Sequence, residues 1–409
     1  MLCEAFGFPP STLLWAHKAL AYLLVVGIIA HAGAYMSFIA NVLQNTPAEQ
    51  ATVSLLNPYW ISPTQARLGA YSLCNFPSGI VLLVLVLVVT VTALGWVRRR
   101  HYEIFYYLHI LLGILFMVFA CIHADTNFYC LLPGLVLWLY DWTWRFWGGA
   151  GLSRSRTATI EDAQNGWTRI TLLPSNKASG GLVAAGSVKK SGKTPLQTYY
   201  INLPSASKTQ CHAMSAISAS TNEESQFLFR PCESPGWTSR VADMSALELN
   251  QTIIRLEGPY TPNLPAMRNA SNIICFVGGT GITGALSIAD WWIHNGSSAN
   301  HLSIYWSVRN IEMAQLPEWN NLCELAKDLP SLHLIVHITS KLGRMDLGQS
   351  LKEKVTGIRS PDQSTWVYIS GPEGLLDDGE DACLAFKREL GRDSPDCHQI
   401  DWYAARWEV

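Results

Sequence analysis

Four apolar stretches dominate the first third of the chain, at positions 13–39, 79–96, 104–122 and 128–147. A bilayer core takes about 20 such residues as a helix, so the first is long enough alone and the shorter ones reach with their flanks. Past position 148 the pattern breaks into short alternating runs at 157–160, 168–172, 198–203, 226–229 and 252–256. Clusters of Gly, Pro and Ser separate them, and period-two alternation between such breaks predicts an antiparallel β-barrel. After Pro265 the texture changes again, to strand-like runs at 272–277, 301–308, 333–339 and 365–369, with a helical pattern at 285–294 after the first. That alternation predicts an α/β domain with a parallel sheet. The chain therefore reads as a multi-domain membrane protein: an α-helical transmembrane bundle over 1–148, an antiparallel β-barrel over 149–266 and an α/β domain over 267–409.

Charge supports the division. Only six Lys or Arg and five Asp or Glu fall in 1–148, out of 29 and 31 in the whole chain. Arg98, Arg99 and Arg100, between the second and third stretches, are the strongest orientation signal and place that loop in the cytosol. The fourth span then returns to the cytosol with everything after it, and the 41–78 loop faces outside or a lumen. The first stretch lacks a basic leader and a small-residue cleavage site, so it reads as a span in contact with membrane lipid, not a signal peptide. A net charge of −2 gives nucleic acid no footprint. Ten cysteines show no metal-ligand spacing, and the sequons at Asn250, Asn269 and Asn295 fall in the cytosolic part and read as chance. The Gly, Ser and Lys composition of 176–193 reads as a mobile insertion.

Four histidines interrupt the apolar segments: His17 and His31 on the first, His109 and His123 on the third, each pair fourteen residues apart. Fourteen residues is about 21 Å of helix and just under four turns, so both histidines of a pair lie near one face. Two such helices side by side would make two sites, each with one imidazole from either helix. A flat macrocycle with two axial positions fits that arrangement, and the economical reading is two stacked haems. A single histidine in an apolar helix is more often a hydrogen-bonded core residue. Zinc is the weaker metal, because a tetrahedral site needs ligands converging on one point.

In the α/β region, Gly278-Gly279-Thr280-Gly281-Ile282-Thr283-Gly284 lies between a strand and a helix. Glycines there let the backbone approach a pyrophosphate, and the helix N-terminus favours its charge, although a glycine-rich run alone is often an ordinary tight turn. A second turn, Ser370-Gly371-Pro372-Glu373-Gly374, closes a later strand, at the carboxyl end where open α/β sheets bind ligands.

With membrane histidines, a barrel and a glycine loop in this order, the chain resembles the ferric reductase and NADPH oxidase superfamily over nearly its whole length, and within it the fungal ferric-chelate reductase transmembrane components. The resemblance is carried by the paired histidines, by Tyr102-Glu103-Ile104-Phe105 ahead of His109, and by Gly278 to Thr283. It implies a transmembrane haem domain feeding a ferredoxin-NADP reductase-like module, with two haem b, FAD and NADPH as cofactors. By that resemblance His17, His31, His109 and His123 are haem ligands. His212-Ala213-Met214-Ser215 stands for the family's His-Pro-Phe-Thr/Ser flavin motif, keeping only His212 and Ser215. Gly236-Trp237-Thr238 looks like the flavin pyrophosphate turn, and Glu257-Gly258-Pro259-Tyr260 like the domain-junction motif. Gly278, Gly279, Thr280, Gly281 and Thr283 would cradle NADPH, with Ser307 and Arg309 reading its 2′-phosphate. Gly371 and Pro372 belong to a Ser-Gly-Pro that replaces Cys-Gly-Pro near the hydride path, and Trp407 would cover the flavin ring. Arg309 could equally be a surface arginine, and His212 an ordinary loop histidine.

Relatives usually have two further helices before the first histidine-bearing one, so the chain reads as truncated. The resemblance implies electron transfer from cytosolic NADPH to ferric chelates across a membrane, the plasma membrane by preference, through an inner haem at His17 and His109 and an outer one at His31 and His123. No catalytic acid or base is expected. The alternatives are a superoxide-generating oxidase with oxygen as acceptor and a non-catalytic membrane homologue.

Overall fold

The structure is a computed structural model and describes residues 10–45, 76–100, 102–147, 154–173, 194–207, 210–218, 225–231, 236–245, 251–295, 300–356, 364–393 and 399–406. The proposed insertion at 176–193, most of the 41–78 loop and Trp407 lie outside the described residues. The chain divides into two compact units, one built on Ser11–Trp142 and one on Thr143–Trp407.

The first unit is helical: α1 Pro10–Asn45, α2 Phe76–Ala93, α3 Tyr102–His123 and α4 Asp125–Trp147, with a short helix Gly95–Arg100 after α2. All four apolar stretches are helices. Within them Leu14–Ser37 and Ile104–His123 have the length and apolar composition to cross a membrane unaided, while Ser78–Ala93 and Thr126–Tyr140 are shorter. Their outer faces are apolar and exposed, as at Leu20, Val26, Ile29, Leu111, Ile114 and Val118, which suits lipid and not water. α2 and α3 pack closely against each other. α1 differs: none of its side chains whose burial is described is buried.

The second unit opens with six antiparallel strands, β1 Arg154–Asp162, β2 Thr168–Leu172, β3 Thr198–Asn202, β4 His212–Ser215, β5 Gln226–Phe229 and β6 Thr252–Tyr260, in the order β4-β3-β6-β1-β2-β5. Ala216, just past β4, bridges Phe227 of β5, and the Ile217 amide donates to the Gln226 carbonyl at 2.9 Å, so the two edges meet and the sheet closes. Inward residues Ala158, Ile170, Ile201, Phe227 and Ile254 fill the barrel, and helix α5, Trp237–Ser245, adds Trp237 and Val241 to that core. Sequence pattern ended β6 at 256, but the strand runs on to Tyr260 because a register shift in β3 brings Thr198 opposite Tyr260. Strand β4 escaped the pattern because four residues carry too little alternation; pairing with β3 makes it a strand.

Five parallel strands follow: β7 Asn272–Gly278, β8 His301–Val308, β9 Leu332–Ile338, β10 Ser364–Ser370 and β11 Gln399–Ala405, in the order β11-β10-β7-β8-β9. Helices α6 Ile282–Asn295, α7 Pro317–Asp328, α8 Leu347–Thr356 and α9 Glu373–Asp393 connect them. Alternate residues of β7 serve two cores. Ile273, Cys275 and Val277 join one cluster with α6 and α7, and Ile274 and Phe276 another with α8 and α9. Burial on both faces is why these strands read as nearly continuous apolar runs.

Barrel and parallel sheet share a core, since Trp167, Leu196 and Leu228 of the barrel belong to the cluster centred on β7, β8 and α6. Polar contacts fasten the same seam. The Trp167 indole donates to the Met313 carbonyl at 3.1 Å, Asn165 to the Gln315 carbonyl at 2.9 Å, and the Leu196 amide to Ser287 Oγ at 3.1 Å. Arg169 pairs with Glu318.

Candidate functional site

In the helical unit the fourteen-residue spacing has a direct outcome. His17 of α1 meets His109 of α3 with ring centroids 6.1 Å apart and planes at 82°; His31 meets His123 at 6.3 Å and 85°. Both predicted pairs are formed, each across the same two helices. Phe105, one turn before His109, tilts against its ring at 5.2 Å. Ser78 Oγ lies 3.4 Å from His123 Nδ1.

In the other unit the parallel sheet brings its predicted residues to one edge. Gly278 ends β7, and Gly279–Gly281 forms a tight 3-10 turn that leads into α6 at Ile282. Ser307 sits beside Gly278 in register on the next strand, and Ser370 beside Val277 on the other side. Gly281 has no room for a side chain, because a Cβ there would run into the Ser370 carbonyl; Pro372 Cδ is 2.9 Å from where a Cβ on Gly278 would stand. Thr283 donates to the Thr280 carbonyl at 3.2 Å, and Thr280 is exposed at the tip of the turn. Arg309 follows β8 and is exposed, and its carbonyl accepts from the Ser340 amide at 3.3 Å.

Two residues of this edge have no role of their own in the sequence reading. Trp306 is fully buried and donates its indole N–H to the Gly279 carbonyl at 2.9 Å, tying the loop to β8. Arg344 reaches to 3.8 Å of the position a Cβ on Gly374 would take, adding a second guanidinium beside the last turn. Its signal in the sequence was a basic residue just after a glycine that follows a strand. A cavity of about 380 Å³ lined by Cys323, Lys327, His333 and Lys354 contains none of the predicted site residues.

Gly236-Trp237-Thr238 forms the entry to α5, where Ser239 Oγ accepts from the Gly236 amide at 2.8 Å. The His212 ring stacks on Trp237 at 4.3 Å and 22°. Ser215 closes the same strand, opposite Thr198.

A family model described as the ferric reductase like transmembrane component matches residues 1–120. Residues 1–120 are thus similar to the ferric reductase transmembrane component. Ferric reduction oxidase 5 of Arabidopsis thaliana is 27% identical over 293 residues, which is 70% of this chain and 38% of that protein. Ferric reduction oxidase 8, mitochondrial, of the same plant is 31% identical over 222 residues, 52% of this chain and 28% of that one. The ferric reductase transmembrane component 6 of Saccharomyces cerevisiae is 22% identical over 271 residues, 64% of this chain and 36% of its own length. The chain thus spans under two fifths of the length of these curated relatives. Among solved structures, a ferredoxin NADP+ reductase from Neisseria gonorrhoeae with bound FAD and NADP is 14% identical, covering 61% of this chain and 98% of that one at a TM-score of 0.42. That score adds nothing to what the strand order already shows.

The haems and FAD that the resemblance implies place demands on the residues present. An iron held about 2 Å from one nitrogen of each imidazole, with about another ångström from nitrogen to ring centre, places two ring centroids about 6 Å apart. Both histidine pairs stand at that distance, so each could hold one haem iron between its two imidazoles. His109 Nδ1 is moreover buried with no hydrogen-bond partner among the described residues. In the barrel, His212 Nε2 and Trp237 Nε1 are likewise buried without partners, a deficit that a polar ligand such as a flavin would relieve. Burial, and then the nearby Arg240, pushes the His212 imidazole below its ordinary range, so it stays neutral near pH 7. Arg240 bonds Gln210 Oε1 at 3.0 Å and brings a positive charge to this end of the barrel.

Proposed function

We propose that the chain is a transmembrane oxidoreductase that passes electrons from cytosolic NADPH to ferric chelates on the far side of a membrane. Residues 1–148 would hold two haem b, 149–266 FAD and 267–409 NADPH. The observation that carries this reading is the pair of matched histidine contacts between α1 and α3, four turns apart, at the separation that two iron-centred sites require.

When bound, FAD supplies the conversion of a two-electron hydride donor into single electrons, and the haems supply one-electron carriers through the apolar layer. The rest is binding and insulation by the protein. Gly278, Gly279 and Gly281 let the backbone approach a pyrophosphate, and the N-terminus of α6 favours its charge. Thr280 and Thr283 line that turn. Ser307 and Arg309 stand where the ribose phosphate of NADPH would be read, and a guanidinium can meet a phosphate with two parallel hydrogen bonds. Gly371 and Pro372 close the rim from the neighbouring strand. His212, Ser215, Gly236, Trp237 and Thr238 would form the flavin end of the barrel, with α5 offering its N-terminus. Trp407 is proposed as the flavin cover.

Arg98 to Arg100 support a cytosolic loop between the second and third spans, which makes His17 and His109 the inner pair and His31 and His123 the outer one. The apolar outward faces of α1, α3 and α4 support an integral membrane protein, here assigned to the plasma membrane with four spans.

The test is ferrous capture by a chromogenic chelator on the side opposite the NADPH, with and without superoxide dismutase. Capture insensitive to the dismutase supports the reductase. Capture abolished by it makes oxygen the acceptor and the protein an oxidase, and purified protein lacking both haem and flavin overturns electron transfer altogether.

A further inference from the structure

Ser78 and Gly79 lie in the first turn of α2, and both act on one histidine of the four. The Ser78 hydroxyl is buried, 5% exposed, and lies 3.4 Å from His123 Nδ1. Next to it, a Cβ on Gly79 would stand 2.8 Å from His123 Cε1 and 3.2 Å from Nδ1. The imidazole therefore rests against bare backbone, in a space that only glycine leaves. Ser37, Thr90 and Thr92 bond carbonyls one turn back on their own helix, whereas Ser78 reaches across to another. The matched histidine on the same helix, His109, has its Nδ1 buried with no such partner among the described residues.

We propose that Ser78 and Gly79 form a seat for His123 that makes the two haem positions chemically unequal. The proposal rests on the haem reading above. An imidazole that gives one nitrogen to a metal carries its proton on the other, so pairing Nδ1 with Ser78 assigns Nδ1–H to the hydroxyl and Nε2 to the metal. A hydrogen bond accepted from Nδ1–H makes the ring a stronger electron donor, which favours the ferric state of an iron it ligates. The His31–His123 position thus has its potential held down by a protein contact that His109 Nδ1 lacks among the described residues. Ser78 and Gly79 are positioning residues: they touch the ligand and not the iron.

The experiment is optical redox potentiometry and haem content on the full chain in detergent, for the unmodified protein and for Ser78→Ala, Ser78→Thr, Gly79→Ala and His123→Ala. The seat predicts that Ser78→Ala moves one midpoint upward and leaves the other in place, that Ser78→Thr restores it, and that Gly79→Ala loses the haem that His123→Ala loses. Loss of that same single haem in Ser78→Ala, restored in Ser78→Thr, also supports the seat. Unmoved midpoints with both haems retained in Ser78→Ala, or loss of both haems, overturn it. Retention of both haems in His123→Ala overturns instead the ligand assignment beneath it.

Discussion

Gly278 and Gly371 face each other backbone to backbone: a Cβ on Gly371 would stand 3.0 Å from both the nitrogen and the Cα of Gly278. These residues end adjacent parallel strands, so the glycine loop and the Ser-Gly-Pro turn form one rim with no side chain between them. Gly371 also has φ of +151°, which L side chains rarely adopt. We predict that Gly371→Ala destabilises the protein by about 1–3 kcal/mol, from strain plus overpacking. Denaturant unfolding of the full chain checks this, and an unchanged midpoint would show that the rim yields easily.

Arg309→Ala should reduce the preference for NADPH over NADH. A charge-assisted pair with a phosphate is worth more than a neutral hydrogen bond, about 1.5–3 kcal/mol, which is roughly a tenfold to hundredfold change in the ratio of kcat/KM values. Steady-state kinetics with both nucleotides measures it. A ratio that stays put would reduce Arg309 to a surface charge, and Arg344 would become the residue to change next.

His109→Ala should remove one haem and leave the other, because the pair with His17 is separate from the pair of His31 and His123. Absorbance and haem content of the purified variant decide it. Two retained haems would sink the ligand assignment.

His212 carries a pH prediction. Its folded pKa is lowered by burial, with Arg240 adding to the effect, so below the ordinary imidazole value of about 6.5 the unfolded chain binds a proton that the folded chain resists. Stability contributed by the neutral ring is present above that value and lost as pH falls from it towards the lowered one. Thermal unfolding from pH 7.5 to 5 should therefore decline less steeply in His212→Gln. Parallel curves for the two proteins would refute the assignment.

Trp167→Phe should cost about 1 kcal/mol, since it leaves the Met313 carbonyl without its indole donor at the seam between barrel and parallel sheet. Because Trp167 is fully buried in the shared core, a single cooperative transition is expected to persist at a lower denaturant midpoint. Two separated transitions would mean that the seam does not couple the halves.

Much of this architecture is written in local pattern. The apolar runs 104–122 and 301–308 became α3 and β8 nearly to the residue, because length, period and flanking breaks act on the chain locally. The spacing of the four histidines also determined, by helical geometry alone, that two rows of imidazole could face each other. Which helix supplies the partner, and at what distance, depended on α1 and α3 bringing together histidines 92 residues apart in sequence. The same limit hid β4, β11, the extension of β6 and the reach of Ser78 to His123, which lies 45 residues away. The contact Trp306 makes was invisible until the fold placed the Gly279 carbonyl within reach of its indole. Alternation and turn chemistry are properties of neighbours along the chain, whereas hydrogen bonds between distant segments and the room beside a glycine exist only once tertiary packing has brought those segments together.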